Sequence, residues 1–325
     1  MKILVTRAWP KATEDRLVAE GLGSVTLRDP DTPMSHDEWM TAATTYDVIM
    51  PTVSDKIPSD FYRAAKDKVK IFANYGVGFN HIDIAAADAN GITVTNTPDV
   101  LTDCTADLAM GLLLTAARRI GEGERETRAG EWSGWRPTHM IGKKVTGATL
   151  GIVGFGRIGQ AMARRAHYGF GMRIVFQDAW RVPDEIKIAN GNAEQLDGIA
   201  EVAAQSDFLS LHMPGGAHTF KMINSDVFNA LKPGAVLVNS ARGDVVDEDA
   251  LFAALDSGHL AAAGLDVYHG EPALDPRFMA YANLVLAPHL GSATDGTREA
   301  MGHRAIDNLS AFLKGETPQD LVKAS

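Results

Sequence analysis

Residues 149–166 read TLGIVGFGRIGQAMARRA, and this pattern settles what kind of sheet the chain encodes. The stretch opens with the apolar run Thr149–Val153, which is typical of a buried strand. A glycine-rich turn follows, and the pattern then becomes helical. A strand that passes directly into a helix in this way predicts a mostly parallel sheet with helices on both faces.

The glycines of the turn have the spacing of a dinucleotide-binding loop. Gly154 permits the tight turn, Gly156 lets the backbone approach a pyrophosphate, and Gly159 lets the helix pack closely on the strand. The first helical turn, with Arg157 and Ile158, would present its N–H groups to the phosphates. We therefore expect these five residues to bind a dinucleotide.

The end of the next strand indicates which dinucleotide is bound. Residues 172–178 read MRIVFQD, so Asp178 lies 19 residues after Gly159. A carboxylate at this point accepts hydrogen bonds from the ribose hydroxyls and repels a 2′-phosphate. The sequence thus predicts NAD rather than NADP, although Arg181 could soften that preference.

Composition narrows the classes of protein to which the chain can belong. Its 325 residues, 45% apolar and 22% charged, suffice for two globular domains. The net charge of −10 argues against nucleic acid as a partner, because a phosphate-binding surface needs basic residues. Cys104 is the only cysteine, and no metal-binding spacing occurs, so we expect neither a disulfide nor a metal site.

The sequence also bears on where the protein works. The start, MKILVTRAWPK, predicts a strand rather than a signal peptide. No apolar run reaches the roughly 18 residues of a membrane span. We expect a cytoplasmic protein that has no membrane partner.

Strand and helix patterns alternate on both sides of the glycine loop. We predict strands at KILVT, DVIMP, KIFANYG and GITVTNTP in the first hundred residues, and a buried helix over 102–119. Residues 121–147 are predicted to be a polar excursion between domains. Five more strands are predicted after the glycine-loop strand, and a helix over 292–316.

Three of these later strands are each followed by one ionisable residue: Arg242, Glu271 and His289. The carboxyl ends of strands in an open α/β sheet form the edge at which ligands bind. Arginine binds a carboxylate through two parallel hydrogen bonds, and histidine exchanges a proton near neutral pH. A carboxylate beside the histidine favours its charged form. A lone histidine there would more often be a packing residue, but the regular placement of all three favours catalysis.

Several segments together carry a family resemblance. The glycine loop, LVNSARGDVVDEDAL (237–251), GLDVYHGEP (264–272) and APHLGSAT (287–294) resemble, in order and spacing, the signatures of the D-isomer-specific 2-hydroxyacid dehydrogenase family. NYGVGFNHIDI (74–84) and GITVTNTPDV (91–100) extend the resemblance over essentially the whole chain. Within that family, the sequence most resembles those of the glyoxylate and hydroxypyruvate reductases.

The resemblance implies an α/β fold of two doubly wound parallel-sheet domains. A Rossmann cofactor domain would span residues 99–288. A flavodoxin-like substrate domain would combine residues 1–98 with a C-terminal return over 289–325. The active site would lie in the cleft between them, with His289 at the hinge.

The resemblance also implies a role for each matching residue. Arg242 would bind the substrate, His289 would donate the proton, and Glu271 would be the partner of His289. The backbone of Val77 and Gly78 would hold the substrate carboxylate.

Further positions would line the cofactor cleft, mostly through backbone atoms: Met213, Thr219, Ser240 and Ala241. Asp266 would lie near the nicotinamide amide, or else serve only to cap the end of its strand.

The implied activity is NAD-dependent reduction of a small 2-oxo acid, glyoxylate first and hydroxypyruvate next, by a homodimer. The dimer would form through residues 121–147, which contain Trp132 and Trp135. Some reductases of the family have tryptophan in place of His139.

Three alternatives share the fold: a phosphoglycerate dehydrogenase, an NAD-sensing corepressor, and a formate dehydrogenase, which needs glutamine where Glu271 stands. His212, also at a strand end, is predicted to be a wall residue rather than the proton donor.

Overall fold

The computed structural model describes residues 1–323, which divide into two compact units. The first unit is Met1–Leu101 together with the described residues from Ala293 onward, and the second is Thr102–Ser292. Each unit contains one sheet, so the expectation of an α/β protein with two sheets is confirmed.

The sheet of the first unit contains these strands: β1 (Lys2–Val5), β2 (Ser24–Leu27), β3 (Val48–Met50), β4 (Ile71–Ala73), β5 (Thr93–Thr95) and β13 (Leu321–Val322). Their order in the sheet is β2-β1-β3-β4-β5-β13, and only β13 runs antiparallel to its neighbour. The first five follow the flavodoxin-like order, which is one of the two common doubly wound arrangements.

Helices cover both faces of this sheet. They are α1 (Lys11–Ala19), α2 (His36–Thr45), α3 (Phe61–Ala64), α4 (Ile84–Ala89) and α12 (Asp295–Leu313). Successive residues of β4 enter opposite apolar layers: Phe72 belongs to the same cluster as Trp39, whereas Ile71 belongs to that of Ile306. Because both faces are buried, the strands are apolar runs rather than alternating ones.

The second unit contains a sheet whose strands are all parallel. They are β6 (Thr149–Val153), β7 (Arg173–Gln177), β8 (Glu194–Gln195), β9 (Phe208–Leu211), β10 (Ala235–Asn239), β11 (Leu260–Leu265) and β12 (Leu284–Leu286). Their order is β8-β7-β6-β9-β10-β11-β12, which is the Rossmann order with one added strand. The strand order reverses between β6 and β9, and the glycine loop follows β6 at that switch point.

The helices of the second unit are α5 (Thr102–Ala117), α6 (Ile120–Ala129), α7 (Arg157–Phe170), α8 (Asp184–Ala189), α9 (Ile199–Gln205), α10 (Ser225–Ala230) and α11 (Glu248–Asp256). Short 3₁₀ turns cover Gly243–Val245 and Pro276–Ala280. The long helix predicted over 102–119 corresponds to α5, whose buried face lies in the core beside α7. None of the helices described is both long and apolar enough to cross a membrane.

The polar excursion predicted over 121–147 is partly wrong, because it contains most of α6. This helix buries none of its residues, and its only apolar side chains are those of Ile120 and Ala129, so the segment resembles a polar loop in the sequence. It is supported by ion pairs along its surface, Arg119–Glu122 and Arg128–Glu124. Several short elements were also not predicted: β2, α2, α3, β8 and β13.

Both unit boundaries lie a few residues later than the sequence analysis puts them. His289 in particular belongs to the second unit rather than to the C-terminal return. Its N–H donates to the carbonyl of Asp266, and the carbonyl of Gly291 accepts a hydrogen bond from Thr105. These bonds tie the segment after β12 to the end of β11 and to α5.

Candidate active site

The glycine loop has a different physical constraint at each glycine. Gly154 has a φ of +87°, and a Cβ there would lie 2.6 Å from the backbone nitrogen of Met213. A Cβ at Gly159 would overlap the carbonyl oxygen of Gly154. These two glycines are therefore required by the protein's own backbone packing.

Gly156 differs, since a Cβ there would meet no protein atom within 4 Å. It is exposed and directly precedes α7, which begins at Arg157 without a side-chain cap. The first N–H groups of a helix have no partner within the helix. The loop thus leaves open space before the N-terminus of α7, an arrangement that fits the phosphates of a dinucleotide.

Asp178 directly follows β7 and contacts the glycine loop. One carboxylate oxygen accepts a hydrogen bond from Phe155 N at 2.6 Å, and the other accepts one from Trp180 N at 3.0 Å. The residue therefore fixes two loops in addition to the ribose-binding role predicted for it. Each carboxylate oxygen has a second lone pair with which it can accept from a ribose hydroxyl.

Asn239, at the end of β10, holds the loop that presents Arg242. Its side chain accepts from Ala241 N at 3.0 Å and donates to the carbonyl of Arg242 at 2.9 Å. Arg242 donates one guanidinium N–H to the carbonyl of Ala241. Sequence reasoning did not select Asn239, although asparagine is favoured wherever a side chain organises a turn.

His289 and Glu271 form a direct pair. His289 Nδ1 lies 2.8 Å from Glu271 Oε2, and about a third of each side chain remains exposed. The other carboxylate oxygen accepts from Tyr268 N at 2.8 Å, which fixes the carboxylate plane. With Nδ1 held in this way, Nε2 is the ring nitrogen that can exchange a proton with a ligand.

The backbone at His289 is in the left-handed region, with a φ of +56°. Few residues other than glycine adopt this conformation, and such positions cluster at functional sites. The segment is held by Asp266, which is buried and whose carboxylate accepts from Leu290 N and Gly291 N. Both Asp266 oxygens thus serve the backbone, as a strand-end cap would.

Charge and burial oppose each other among these side chains. Burial would raise the pKa of Glu271, but the hydrogen bond and charge of His289, with the Tyr268 amide and Arg242, outweigh it and lower that pKa. Burial raises the pKa of Asp266. Burial also lowers the pKa of Arg242, although the charges of the Glu271 and Asp244 carboxylates act to raise it. Glu271 is therefore the fixed anion beside the histidine.

Two buried polar atoms near the ends of β9 and β10 have no hydrogen-bond partner among the described residues. They are Nδ1 of His212 and the hydroxyl of Ser240. A buried polar group without a partner costs about 1–3 kcal/mol, so a polar ligand is expected to satisfy them. The residues present fit the ribose and carboxamide groups of a nicotinamide dinucleotide.

The remaining residues predicted for the cofactor site follow the same strands. Met213 and Ala241 are buried, so each can offer a ligand mainly its backbone. The hydroxyl of Thr219 donates to the carbonyl of Pro214 at 2.7 Å, which fixes the turn after β9.

Val77 and Gly78 lie in the first unit, in the loop after β4. Their N–H groups have no hydrogen-bond acceptor among residues 1–323, whereas the carbonyls of the loop are bonded to asparagine side chains. Those asparagines, Asn74 and Asn96, were also missed from the sequence. The signal available was an asparagine just beyond each of two neighbouring strands.

Comparison with known proteins agrees with this geometry. Residues 110–291 match the family model described as the D-isomer specific 2-hydroxyacid dehydrogenase, NAD binding domain. A glyoxylate reductase of Thermococcus litoralis is 47% identical over 85% of this chain and 83% of its own length.

Solved structures resemble the chain over almost its full length. A D-isomer specific 2-hydroxyacid dehydrogenase described as putative, from Polaromonas sp. JS6 66, has a TM-score of 0.91 at 37% identity, covering 99% of both chains. An NADPH-dependent glyoxylate/hydroxypyruvate reductase from Sinorhizobium meliloti, solved with NADP and malonate, has a TM-score of 0.84 at 34% identity. The match covers 99% of this chain and 96% of that one.

A Rossmann sheet with a dinucleotide loop at its switch point defines a dinucleotide-binding protein. The family match and the sequence identities show that this chain belongs to the D-isomer-specific 2-hydroxyacid dehydrogenase family. It is an NAD-binding enzyme of that family.

Proposed function

We propose that the protein reduces glyoxylate to the 2-hydroxy acid with NADH, and hydroxypyruvate next in preference. The observation that carries this proposal is the hydrogen-bonded pair of His289 and Glu271, at the same sheet edge as the loop of Arg242. The glyoxylate reductase name of relatives such as that of Thermococcus litoralis supports the choice of substrate.

Three residues are proposed to bind the substrate. Arg242 and the N–H groups of Val77 and Gly78 bind the carboxylate of the 2-oxo acid. A planar guanidinium is suited to a carboxylate, and its charge also stabilises the oxygen that becomes negative during reduction.

His289 and Glu271 move the proton. The nicotinamide, when bound, supplies the hydride that C2 of the substrate receives. His289 donates a proton from Nε2 to the substrate oxygen, and Glu271 stabilises the charged ring before that transfer. In oxidation the same nitrogen accepts the proton.

The cofactor residues are proposed to be the glycine loop with Arg157 and Ile158, the carboxylate of Asp178, and the wall positions: Met213, Thr219, Ser240, Ala241 and Asp266. Asp178 favours NADH over NADPH, because its charge repels a 2′-phosphate. NADPH remains usable in principle, since a relative named for it exists.

We also propose that the protein is a cytoplasmic homodimer. Trp132 and Trp135 are exposed, at 57% and 83%, and aromatic side chains of that size are enriched at interfaces.

An initial-rate panel tests the proposed function. Glyoxylate, hydroxypyruvate, pyruvate and phosphohydroxypyruvate are each assayed with NADH and with NADPH. We expect glyoxylate with NADH to give the highest kcat/KM. Phosphohydroxypyruvate as the best substrate would indicate a phosphoglycerate dehydrogenase instead. NADH binding without turnover of any of the four would indicate a sensing module of the corepressor type.

A further inference from the structure

We propose that Asn74 and Asn96 are positioning residues that aim the N–H groups of Val77 and Gly78 at the substrate carboxylate. This inference rests on the proposed function, in which those two N–H groups bind the carboxylate. It concerns the first unit only, and it assigns roles to two side chains that do not touch the substrate themselves.

The carbonyl groups of Gly76, Val77 and Gly78 each accept a hydrogen bond from one of these asparagines. The side-chain amide of Asn74 donates to the carbonyl of Gly76 at 2.9 Å and to that of Gly78 at 3.1 Å. The amide of Asn96 donates to the carbonyl of Val77 at 2.9 Å. The carbonyl of Gly76 also accepts from the N–H of Thr97.

Planar peptide geometry converts these bonds into a direction for the N–H groups. The peptide bonds of this loop are trans, and in a trans peptide the C=O and the following N–H point to opposite sides. Holding the carbonyl of Gly76 therefore turns the N–H of Val77 away from Asn74. Holding the carbonyl of Val77 turns the N–H of Gly78 away from Asn96. Two adjacent N–H groups turned out in this way form a concavity that suits an anion.

The asparagines are themselves fixed. Asn74 is fully buried after β4, where its side-chain amide makes the two donations described above. The carbonyl of Asn96 accepts from the side chain of Asn308, which also donates to Asp320. Asp320 in turn pairs with Arg304. The C-terminal helix α12 and the segment after it thus support the position of Asn96.

The test removes one amide at a time. Asn96→Leu keeps the size of the side chain but cannot donate, and Asn74→Ser is a second variant with a shorter side chain. Asn90→Leu is a matched control, because Asn90 is half-buried in the same unit and its amide donates to the carbonyl of Ala86. Asn90 precedes β5, at the opposite end of the sheet from the loop.

The readouts separate carboxylate binding from catalysis and from folding. We measure KM and kcat for glyoxylate, the inhibition constant of oxalate, the Kd of NADH by fluorescence titration, and the Tm. In Asn96→Leu the KM and the oxalate constant should both rise about tenfold, since a group bound equally in ground and transition states affects KM and not kcat. Asn74→Ser should change in the same direction, while Asn90→Leu should match the wild type.

Three outcomes overturn the inference. Unchanged KM and oxalate affinity in both variants would show that the loop needs no orienting amides. A rise in KM accompanied by weaker NADH binding and a lower Tm would show general damage instead. A wild type that neither reduces glyoxylate nor binds oxalate would refute the proposed function first, and the positioning role with it.

Discussion

The hydrogen bond between His289 and Glu271 determines which ring nitrogen can exchange a proton with the substrate, and the carboxylate favours the charged form of the ring. Because the pKa of Glu271 is lowered, its carboxylate is charged throughout the neutral range. Its negative charge then favours the protonated imidazole, which is the form that reduction consumes.

Glu271→Gln is therefore predicted to change the pH dependence of reduction. Reduction consumes the proton that is donated to the substrate, so the reductive kcat/KM should fall with rising pH, and removal of the anion beside the donor should move this fall to lower pH. Oxidation should show the opposite dependence on pH. Initial rates across about pH 5–9 measure both. An unshifted profile would contradict the pairing.

His289→Asn is the companion to that variant. It should lose most of kcat, yet keep the Kd for NADH and the Tm of the wild type. A packing role predicts the reverse: a destabilised protein whose folded fraction works normally.

Asp178 has a proposed role in cofactor binding and a structural role in two loops. A useful variant therefore removes its charge but keeps a hydrogen-bond acceptor. Asp178→Asn removes the charge but keeps an oxygen that can accept from Phe155 or Trp180. We expect the ratio of kcat/KM with NADPH to that with NADH to rise about tenfold, because the repulsion of the 2′-phosphate is lost. Asp178→Ser should narrow the preference as well, with a lower Tm. A wild type that strongly prefers NADPH would refute this role for Asp178.

At the scale of elements, the turn from β6 into α7 contains one glycine that stability requires and another that cofactor binding requires. Gly159→Ala should lower the free energy of unfolding by about 1–3 kcal/mol, because the new methyl group overlaps the carbonyl of Gly154. Gly156→Ala meets no protein atom, so its Tm should stay near that of the wild type while its Kd for NADH rises. Denaturation and NADH titration of the two variants give the comparison. Equal loss of stability in both would contradict the open space before Gly156.

The end of β9 gives the second unit a dependence on pH. Burial lowers the pKa of His212 to about 4, from an ordinary value of 6.5, and its Nε2 pairs with the hydroxyl of Ser210. Between these two pH values the unfolded chain binds a proton that the folded protein does not. The free energy of unfolding therefore decreases as pH falls through this window.

From about pH 7 to pH 5 the contribution of His212 should amount to a loss of about 2 kcal/mol. His212→Gln should remove that part of the loss, as measured by denaturant titrations at the two pH values. The exposed His218 is the control, and His218→Gln should behave like the wild type. An equal loss in His212→Gln and the wild type would show that the ring is not kept neutral by burial.

At the scale of the whole molecule, the exposed tryptophans make the proposed homodimer testable. Sedimentation should give twice the mass of the chain. The double variant Trp132→Ser, Trp135→Ser should shift the equilibrium toward the monomer. Trp180 is equally exposed but lies after β7, so Trp180→Ser should remain a dimer. A monomeric wild type would refute the proposal.

The sequence predicts the parts of the fold that depend on local pattern. Buried parallel strands are apolar runs, and the run before Gly154 is one of them, so hydrophobic patterning predicts most strands of both sheets. The division of those strands between two domains is implied by the family resemblance. Glycine spacing and the residues that follow each strand are equally local features. This is why Arg242, Glu271 and His289 could be selected as a group.

Other features depend on residues far apart in the chain, and no local pattern reports them. Helix α6 is rich in charged residues and buries none of its side chains, so no apolar run marks it in the sequence. The bonds from Asp266 to the segment after β12 hold His289 in the second unit, and they join segments that follow two different strands. The orientation of the Gly78 N–H group depends on Asn96, whose position depends on Asn308. Local periodicity determines which elements form, whereas hydrogen bonds between distant residues decide where each functional group points.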